Sequence, residues 1–119
     1  MNITDIATPD FAAVDAGKRL GKIRAVFERE KPRGIVVTED GDYAGVIGEK
    51  QLVRSRMEDD AKASVVMKSA PRLDRHEDVR EAARMLVEGD VKIAPVFEGE
   101  QLYGVVSTDD ILHAVLDSL

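Results

Sequence analysis

The two halves of this chain repeat one pattern of residues at a constant spacing, and this repeat constrains the fold more than any other feature. Gly45 and Gly104 each follow a polar turn that contains a tyrosine, and they lie 104 − 45 = 59 residues apart. The same offset aligns further pairs without a gap: Asp15 with Asp74, Val37 with Val96, Glu39 with Glu98, and Val46 with Val105. We therefore expect a duplicated unit of about 60 residues.

Each half predicts the same order of elements: a strand, a helix, a β-hairpin and a final helix. The hairpins are "GIVVTEDGDYAGVIG" and "IAPVFEGEQLYGVVS", in which two β-branched runs flank a polar turn with glycine. In the second half, Asp74 and Glu77 have the spacing of a capping box ahead of a helix that ends near Gly89. The last helix carries an apolar stripe, which fits either the core or an interface: Ile111, Leu112, Val115, Leu116 and Leu119.

The predicted fold class is mixed α/β (α+β), with two βαββα repeats over residues 1–59 and 60–119. A repeat of this size with a one-sided sheet buries too little apolar surface to be stable alone. We expect the two sheets to pack together about a pseudo-twofold axis, with the helices outside. This arrangement would create two related clefts between the repeats.

Composition excludes several classes of protein. The 119 residues carry 17 Lys+Arg against 23 Asp+Glu, a net charge of −6, which argues against nucleic-acid binding. No apolar run approaches the roughly 18 residues that a membrane span requires, and "MNITDIATPDF" lacks the basic and apolar regions of a secretory signal. The chain contains no cysteine, so a cytoplasmic location is expected.

The stretch "GVVSTDDIL" contains Ser107 and Asp110 at the end of a predicted strand, and this pair has two interpretations. In the first, it is a capping box that only starts the last helix. In the second, the carboxylate also accepts hydrogen bonds from the hydroxyls of a ribose, as acidic residues do in dinucleotide folds. In the first half, Gly48 and Gln51 occupy the two positions, which suits a cap but not a ribose ligand.

The residues that follow Gly89 resemble the cystathionine-β-synthase (CBS) domain. The matching features are an apolar strand with proline and valine, an acidic glycine turn, a leucine and glycine two residues apart, two apolar residues, and then the hydroxyl and carboxylate. In this sequence they are Ala94-Pro95-Val96, Glu98-Gly99, Leu102, Gly104, Val105-Val106, Ser107 and Asp110. Two such domains in tandem resemble a Bateman module. The first repeat departs from the motif at Gly48 and Gln51, and it lacks the proline.

The resemblance implies a ligand and a set of contacts. Ser107 and Asp110 would hold the ribose of AMP, ADP, ATP or S-adenosylmethionine, which acts as an effector and not as a catalytic cofactor. The base would lie against the following residues: Ser69, Ala70, Pro71, Ile93, Ala94 and Pro95. Phosphates would need cations, for which the candidates are Lys31, Arg33, Lys50 and Arg54, although for any single one of them solvated surface charge is the favoured interpretation. The resemblance also implies a homodimer of modules, a regulated protein of unknown identity and no membrane partner.

Other chemistry is weakly supported. Asp109, Asp110 and His113 lie within one helical turn, but such a cluster is more often a solvated helix face than a metal site. No nucleophile stands beside a base and an orienting group, so we predict no catalytic activity. The leading hypothesis is an allosteric sensor that binds an adenosine nucleotide. The alternative is a ligand-free CBS scaffold for dimerisation or protein interaction.

Overall fold

The described residues form two three-stranded sheets of the same topology. A computed structural model describes residues 1–54 and 58–119, without the side chains of residues 53 and 54. The first sheet contains β1 (Phe11–Asp15), β2 (Gly34–Glu39) and β3 (Asp42–Ile47), and the second contains β4 (Leu73–Asp74), β5 (Ile93–Glu98) and β6 (Gln101–Ser107). In each sheet the first pair of strands is parallel and the second pair is an antiparallel hairpin.

The hairpins confirm the repeat residue by residue. Adding 59 to the bounds of β2 gives 93–98, which are the bounds of β5. The strand register shifts between Val37 and Thr38 in one hairpin and between Val96 and Phe97 in the other, again 59 residues apart. Asp40 and Gly41 both have positive φ, as the tight hairpin turn predicted for the first half requires. The duplicated α+β fold expected from the sequence is therefore present.

The helices are α1 (Leu20–Glu30), α2 (Glu49–Arg54), α3 (Ala63–Val66), α4 (Val79–Glu88) and α5 (Thr108–Asp117). Helix α1 buries Leu20, Ile23 and Phe27 on one face and ends at Lys31, which adopts the left-handed conformation just before Pro32. A short 3₁₀ turn (Ile3–Asp5) also precedes β1, as α3 precedes β4. The sequence did not predict these two short segments.

The start of α4 corrects the capping box predicted at Asp74 and Glu77. The residue that caps α4 is Asp78, whose Oδ1 accepts a hydrogen bond from the Arg80 N–H at 2.8 Å. Asp74 ends β4 instead, and its carboxylate accepts from the His76 N–H at 2.8 Å. The prediction was wrong because an aspartate can stabilise a turn through the same local hydrogen bond that it offers to a helix.

The chain forms two compact units. The first-repeat unit is Phe11–Ser69, and the second-repeat unit combines Met1–Asp10 with Ala70–Leu119. The core of the first-repeat unit contains Leu20, Ile23, Ile35 and Ile47, each fully buried. Burying a side chain of this kind contributes roughly 1.5–3 kcal/mol. The domain boundary between residues 59 and 60 was inferred from the sequence period, and it stays a prediction.

The N-terminal segment Met1–Asp10 belongs to the second-repeat unit through several backbone hydrogen bonds. The Ile3 N–H donates to the Glu77 carbonyl at 2.9 Å, and the Val79 N–H donates to the Met1 carbonyl at 3.0 Å. The side chain of Ile3 is fully buried. The sequence repeat and the compact unit therefore do not share their boundaries.

Within the described residues, no helix is long and apolar enough to cross a membrane.

Candidate functional site

The motif residues lie where the hairpin of the second-repeat unit opens. Ile93, the first residue of β5, pairs with Ser107, the last residue of β6. Ala94 pairs with Val106, and the Thr108 N–H donates to the Lys92 carbonyl at 2.9 Å, so the start of α5 is tied to the start of β5. Because this pairing is part of the sheet, Ser107 is held on a rigid element.

Ser107 and Asp110 form the complete capping box. The Asp110 N–H donates to Ser107 Oγ at 3.1 Å, and the Ser107 N–H donates to Asp110 Oδ2 at 2.9 Å. Both side chains are half-buried. The capping box itself is therefore present, and it holds the carboxylate at the helix start. Whether the pair also contacts a ribose stays a prediction. A capping box does not by itself exclude a ribose contact, because an ionised carboxylate has about four acceptor positions and one capping N–H occupies one of them.

The residues predicted to contact a base gather at the same end of the second sheet, with one exception. Ile93, Ala94 and Pro95 begin β5, and Ala70 and Pro71 belong to the segment that leads into its parallel neighbour β4. Ala70, Ile93, Ala94 and Pro95 are buried, and Pro71 is half-buried. Any ligand would therefore contact the backbone of β5 more than its side chains. Ser69, the exception, is the last residue of the first-repeat unit and is exposed.

The two sheets differ at this end. In the first sheet, β1 pairs with β2 over five residues, from Phe11 with Gly34 to Asp15 with Thr38. In the second sheet, β4 pairs with β5 only at Val96 and Phe97. The ladder to the neighbouring parallel strand therefore covers the start of β2 but stops short of the start of β5.

The four cations predicted for a phosphate are all residues of the first-repeat unit. Lys31, Arg33 and Lys50 are exposed, and the side chain of Arg54 lies outside the described part of the structure. Lys31 follows α1 in the left-handed conformation. Their role in phosphate binding stays a prediction.

A cavity of about 500 Å³ lies between α1 and α2 of the first-repeat unit, away from the motif residues in the chain. Phe27 and Leu52 give it an apolar floor, while Lys31 is the one predicted ligand residue in its lining. The rim carries both cations and carboxylates: Arg24, Lys31, Glu28 and Glu49. No sequence pattern predicted this cavity, because its walls come from two helices that are separated in the chain.

The acidic cluster at the start of α5 has no metal-binding arrangement. Among residues 1–54 and 58–119, no group of three or more His, Cys, Asp or Glu side chains is placed to hold a metal ion. Asp109 and His113 are exposed, as a solvated helix face requires.

Comparison with known proteins identifies the family. The family model described as "CBS domain" matches the chain twice, at residues 3–58 and 62–117. A search of curated proteins found no match.

Solved structures share the fold at low sequence identity. A CBS domain pair crystallised with 5′-methylthioadenosine and S-adenosyl-L-methionine superposes with a TM-score of 0.85 and 12% identity, covering 100% of this chain and 98% of that one. The CBS domain of a bacterial CNNM/CorC family Mg²⁺ transporter in complex with ATP gives 0.81 and 17%, covering 98% and 87%. The soluble part of a magnesium transporter gives 0.76 and 19%. This chain covers 98% of its own length in that match but only 48% of the transporter chain.

Proposed function

Because the chain belongs to the CBS domain family and contains two CBS domains, we propose that it is a regulatory module that binds an adenosine-containing ligand. The proposed site is in the second-repeat unit, with Ser107 and Asp110 at the ribose. The ligand would be AMP, ADP, ATP or S-adenosylmethionine, and the module would modulate a partner protein or an attached domain without catalysing a reaction.

The observation that carries this proposal is the position of Asp110. Its carboxylate is anchored by the Ser107 N–H at the end of the sheet where Ser107 pairs with Ile93. An anchored carboxylate can accept hydrogen bonds from two adjacent hydroxyls without losing side-chain entropy on binding. Vicinal hydroxyls are the feature that a ribose presents.

The backbone of β5 supports recognition of the base. Because the pairing with β4 begins at Val96, the preceding residues Ile93 and Ala94 are not paired with β4. Their backbone polar groups suit the polar edge of a flat heterocycle, and the half-buried Pro71 offers apolar surface for its face.

Two structural neighbours are consistent with this class of ligand. One was solved with ATP, and another with 5′-methylthioadenosine and S-adenosyl-L-methionine. The chemical part common to these three molecules is adenosine or its 5′-thio analogue. The adenosine moiety is therefore the part of the ligand that the site would recognise, whichever substituent stands at the 5′ position.

Calorimetry and thermal unfolding with AMP, ADP, ATP and S-adenosylmethionine test the proposal. A ligand at about a hundred times its dissociation constant should stabilise the chain by about 2.7 kcal/mol. Asp110→Asn keeps an oxygen for the Ser107 N–H but removes the charge, so affinity should fall about 10- to 100-fold, as expected from the loss of about 1.5–3 kcal/mol. Asp109→Asn, on the exposed side of the same helical turn, is the matched control. Equal losses in both variants, or no binding to the wild-type chain, would contradict the proposal.

Exposed apolar side chains on α4, on α5 and just after α5 favour self-association as well. They are exposed by 42–94%: Val87, Leu112, Val115, Leu116 and Leu119. Large exposed apolar patches commonly mark interaction sites. We propose that a second copy of the chain binds there.

Sedimentation velocity tests the dimer. Val87→Glu should give a monomer, whereas Val65→Glu should not, although Val65 is a similarly exposed valine on α3 (55%). A wild-type chain that stays monomeric at high concentration would exclude the dimer. A Val87-dependent dimer that binds none of the four ligands would instead favour the ligand-free scaffold.

A further inference from the structure

The Gly48–Gln51 pair of the first-repeat unit is satisfied by the protein itself. Gln51 Oε1 accepts a hydrogen bond from the Gly48 N–H at 2.7 Å, which is the bond that Asp110 makes to Ser107 in the second-repeat unit. At its other end, Gln51 Nε2 donates to the carbonyl of Val66 at 3.0 Å. The side chain is half-buried, so these bonds are partly protected from competition with water.

An amide and a carboxylate at this position differ in the hydrogen-bond acceptors that they leave for a ligand. The amide of Gln51 has one acceptor oxygen and one donor nitrogen, and a backbone group already bonds to each, so one lone pair and one N–H remain. A carboxylate at the same position has two acceptor oxygens and no donor. It can cap the helix and still accept from hydroxyls, whereas the amide cannot accept from a pair of hydroxyls without giving up the cap.

The sheet edge next to this pair is closed by a second, independent feature. β1 pairs with β2 from Gly34 to Thr38, so the start of β2 is covered by a strand. At the corresponding end of the second sheet, the strand ladder stops at Val96. Both the polar group and the strand edge that would contact an adenosine ligand are therefore engaged within the first-repeat unit.

We propose that the Gly48–Gln51 pair is an internal lock, in which the Gln51 amide holds the start of α2 to the segment around Val66 without any ligand. The second-repeat unit is then the one part of the described chain that responds to the ligand, and each chain binds one molecule. The number of ligands per chain rests on the function proposed above. The lock itself does not depend on that function.

Calorimetry tests the stoichiometry. The full chain titrated with AMP, ADP, ATP or S-adenosylmethionine should bind one molecule, and Asp110→Asn should leave no second site of similar affinity. Two molecules per wild-type chain, or a full-strength site that survives in Asp110→Asn, would overturn the inference while leaving the proposed function in place. If none of the four ligands bound, the proposed function would be contradicted. The experiment described next would then test the lock by itself.

Gln51→Glu tests the lock without a ligand. This substitution keeps an acceptor for the Gly48 N–H but replaces the donor to Val66 with a charged oxygen that faces a carbonyl. We expect a lower melting temperature and at least a fivefold faster amide exchange in α2 and α3, with ligand affinity unchanged within about twofold. Gln101→Glu, the same substitution at the exposed start of β6, is the control. Equal melting temperatures and exchange rates in the two variants would overturn the lock.

Discussion

Thr8 crosses directly over Gly104 in the second-repeat unit. The Thr8 N–H donates to the carbonyl of Val105 at 2.9 Å, and the Val105 N–H donates back to the Thr8 carbonyl at 2.9 Å. A Cβ atom added to Gly104 would lie 2.6 Å from the Thr8 carbonyl oxygen. The glycine that marks the sequence repeat is therefore required by the approach of another backbone segment, and not by an unusual φ.

Gly104→Ala should destabilise the chain by about 1–3 kcal/mol, the usual cost of overpacking a tight contact. The cost arises because the neighbouring atoms belong to backbone and cannot rotate away. Urea denaturation of the wild type and the variant measures it.

Gly48→Ala is the matched control for this variant. Its added Cβ would lie 3.5 Å from Gln51 Oε1, an ordinary van der Waals distance. Loss of stability of equal size in the two variants would show that the crossing of Thr8 over Gly104 is not the reason for the glycine.

A second prediction concerns the N-terminal segment. Ile3 is fully buried within the second-repeat unit, although it belongs to the first half of the sequence. Ile3→Ala should lower the free energy of unfolding by about 2–5 kcal/mol, because it removes most of a buried aliphatic side chain and leaves a cavity. Hydrogen exchange should show faster opening of amides in α4 and β6 than in α1 and β2.

Met1→Ala provides the control, since the side chain of Met1 is 56% exposed. If Ile3→Ala instead accelerated exchange mainly in α1 and β2, the assignment of Met1–Asp10 to the second-repeat unit would be wrong.

The repeat and its hairpins could be predicted because both depend on local patterns. Runs of β-branched residues on both sides of a glycine turn predict each hairpin, and the offset of 59 residues predicts that the second hairpin repeats the first. The 3₁₀ turn at Ile3 and the helix at Ala63 are too short to show a periodicity. They form through contacts with residues far away in the chain, such as the bond from the Ala63 N–H to the Lys18 carbonyl, and no local pattern encodes such contacts.

The site was predictable in part for the same reason. Ser107 and Asp110 are three residues apart, so their capping box follows from spacing alone. The bond from Gln51 to Val66 spans 15 residues, and it was not predictable. The capping box at Asp74 was wrong because the same spacing recurs at Asp78 and Glu81. The true cap is Asp78, which lies directly before Val79, the first buried residue of α4.

Ser107→Ala tests the cap independently of any ligand. The Asp110 N–H would lose its acceptor, and the helix start should be destabilised by about 1 kcal/mol. Chemical denaturation provides the measurement, and Thr108→Ala at the next position is the control. If Thr108→Ala were as destabilising as Ser107→Ala, the loss would reflect helix propensity and not the cap.

The last prediction is a pH dependence that originates on α4. A hydrogen bond from the Arg84 guanidinium lowers the pKa of Glu81 below its ordinary value of 4.5, and desolvation opposes this shift without reversing it. Because the folded-state pKa is the lower one, the unfolded chain binds more protons in this range, so the stabilisation is complete above about pH 4.5. It is lost as the pH falls through the folded-state pKa.

The free energy of unfolding measured for the wild type and for Glu81→Gln between pH 7 and pH 3 should therefore converge on acidification. At pH 7 the wild type should be the more stable protein, because the glutamine cannot form the charged pair with Arg84. Glu100→Gln, in the turn between β5 and β6, is the control and should not reproduce the convergence. A difference between wild type and Glu81→Gln that stays constant from pH 7 to pH 3 would show that the carboxylate of Glu81 titrates alike in the folded and unfolded chains.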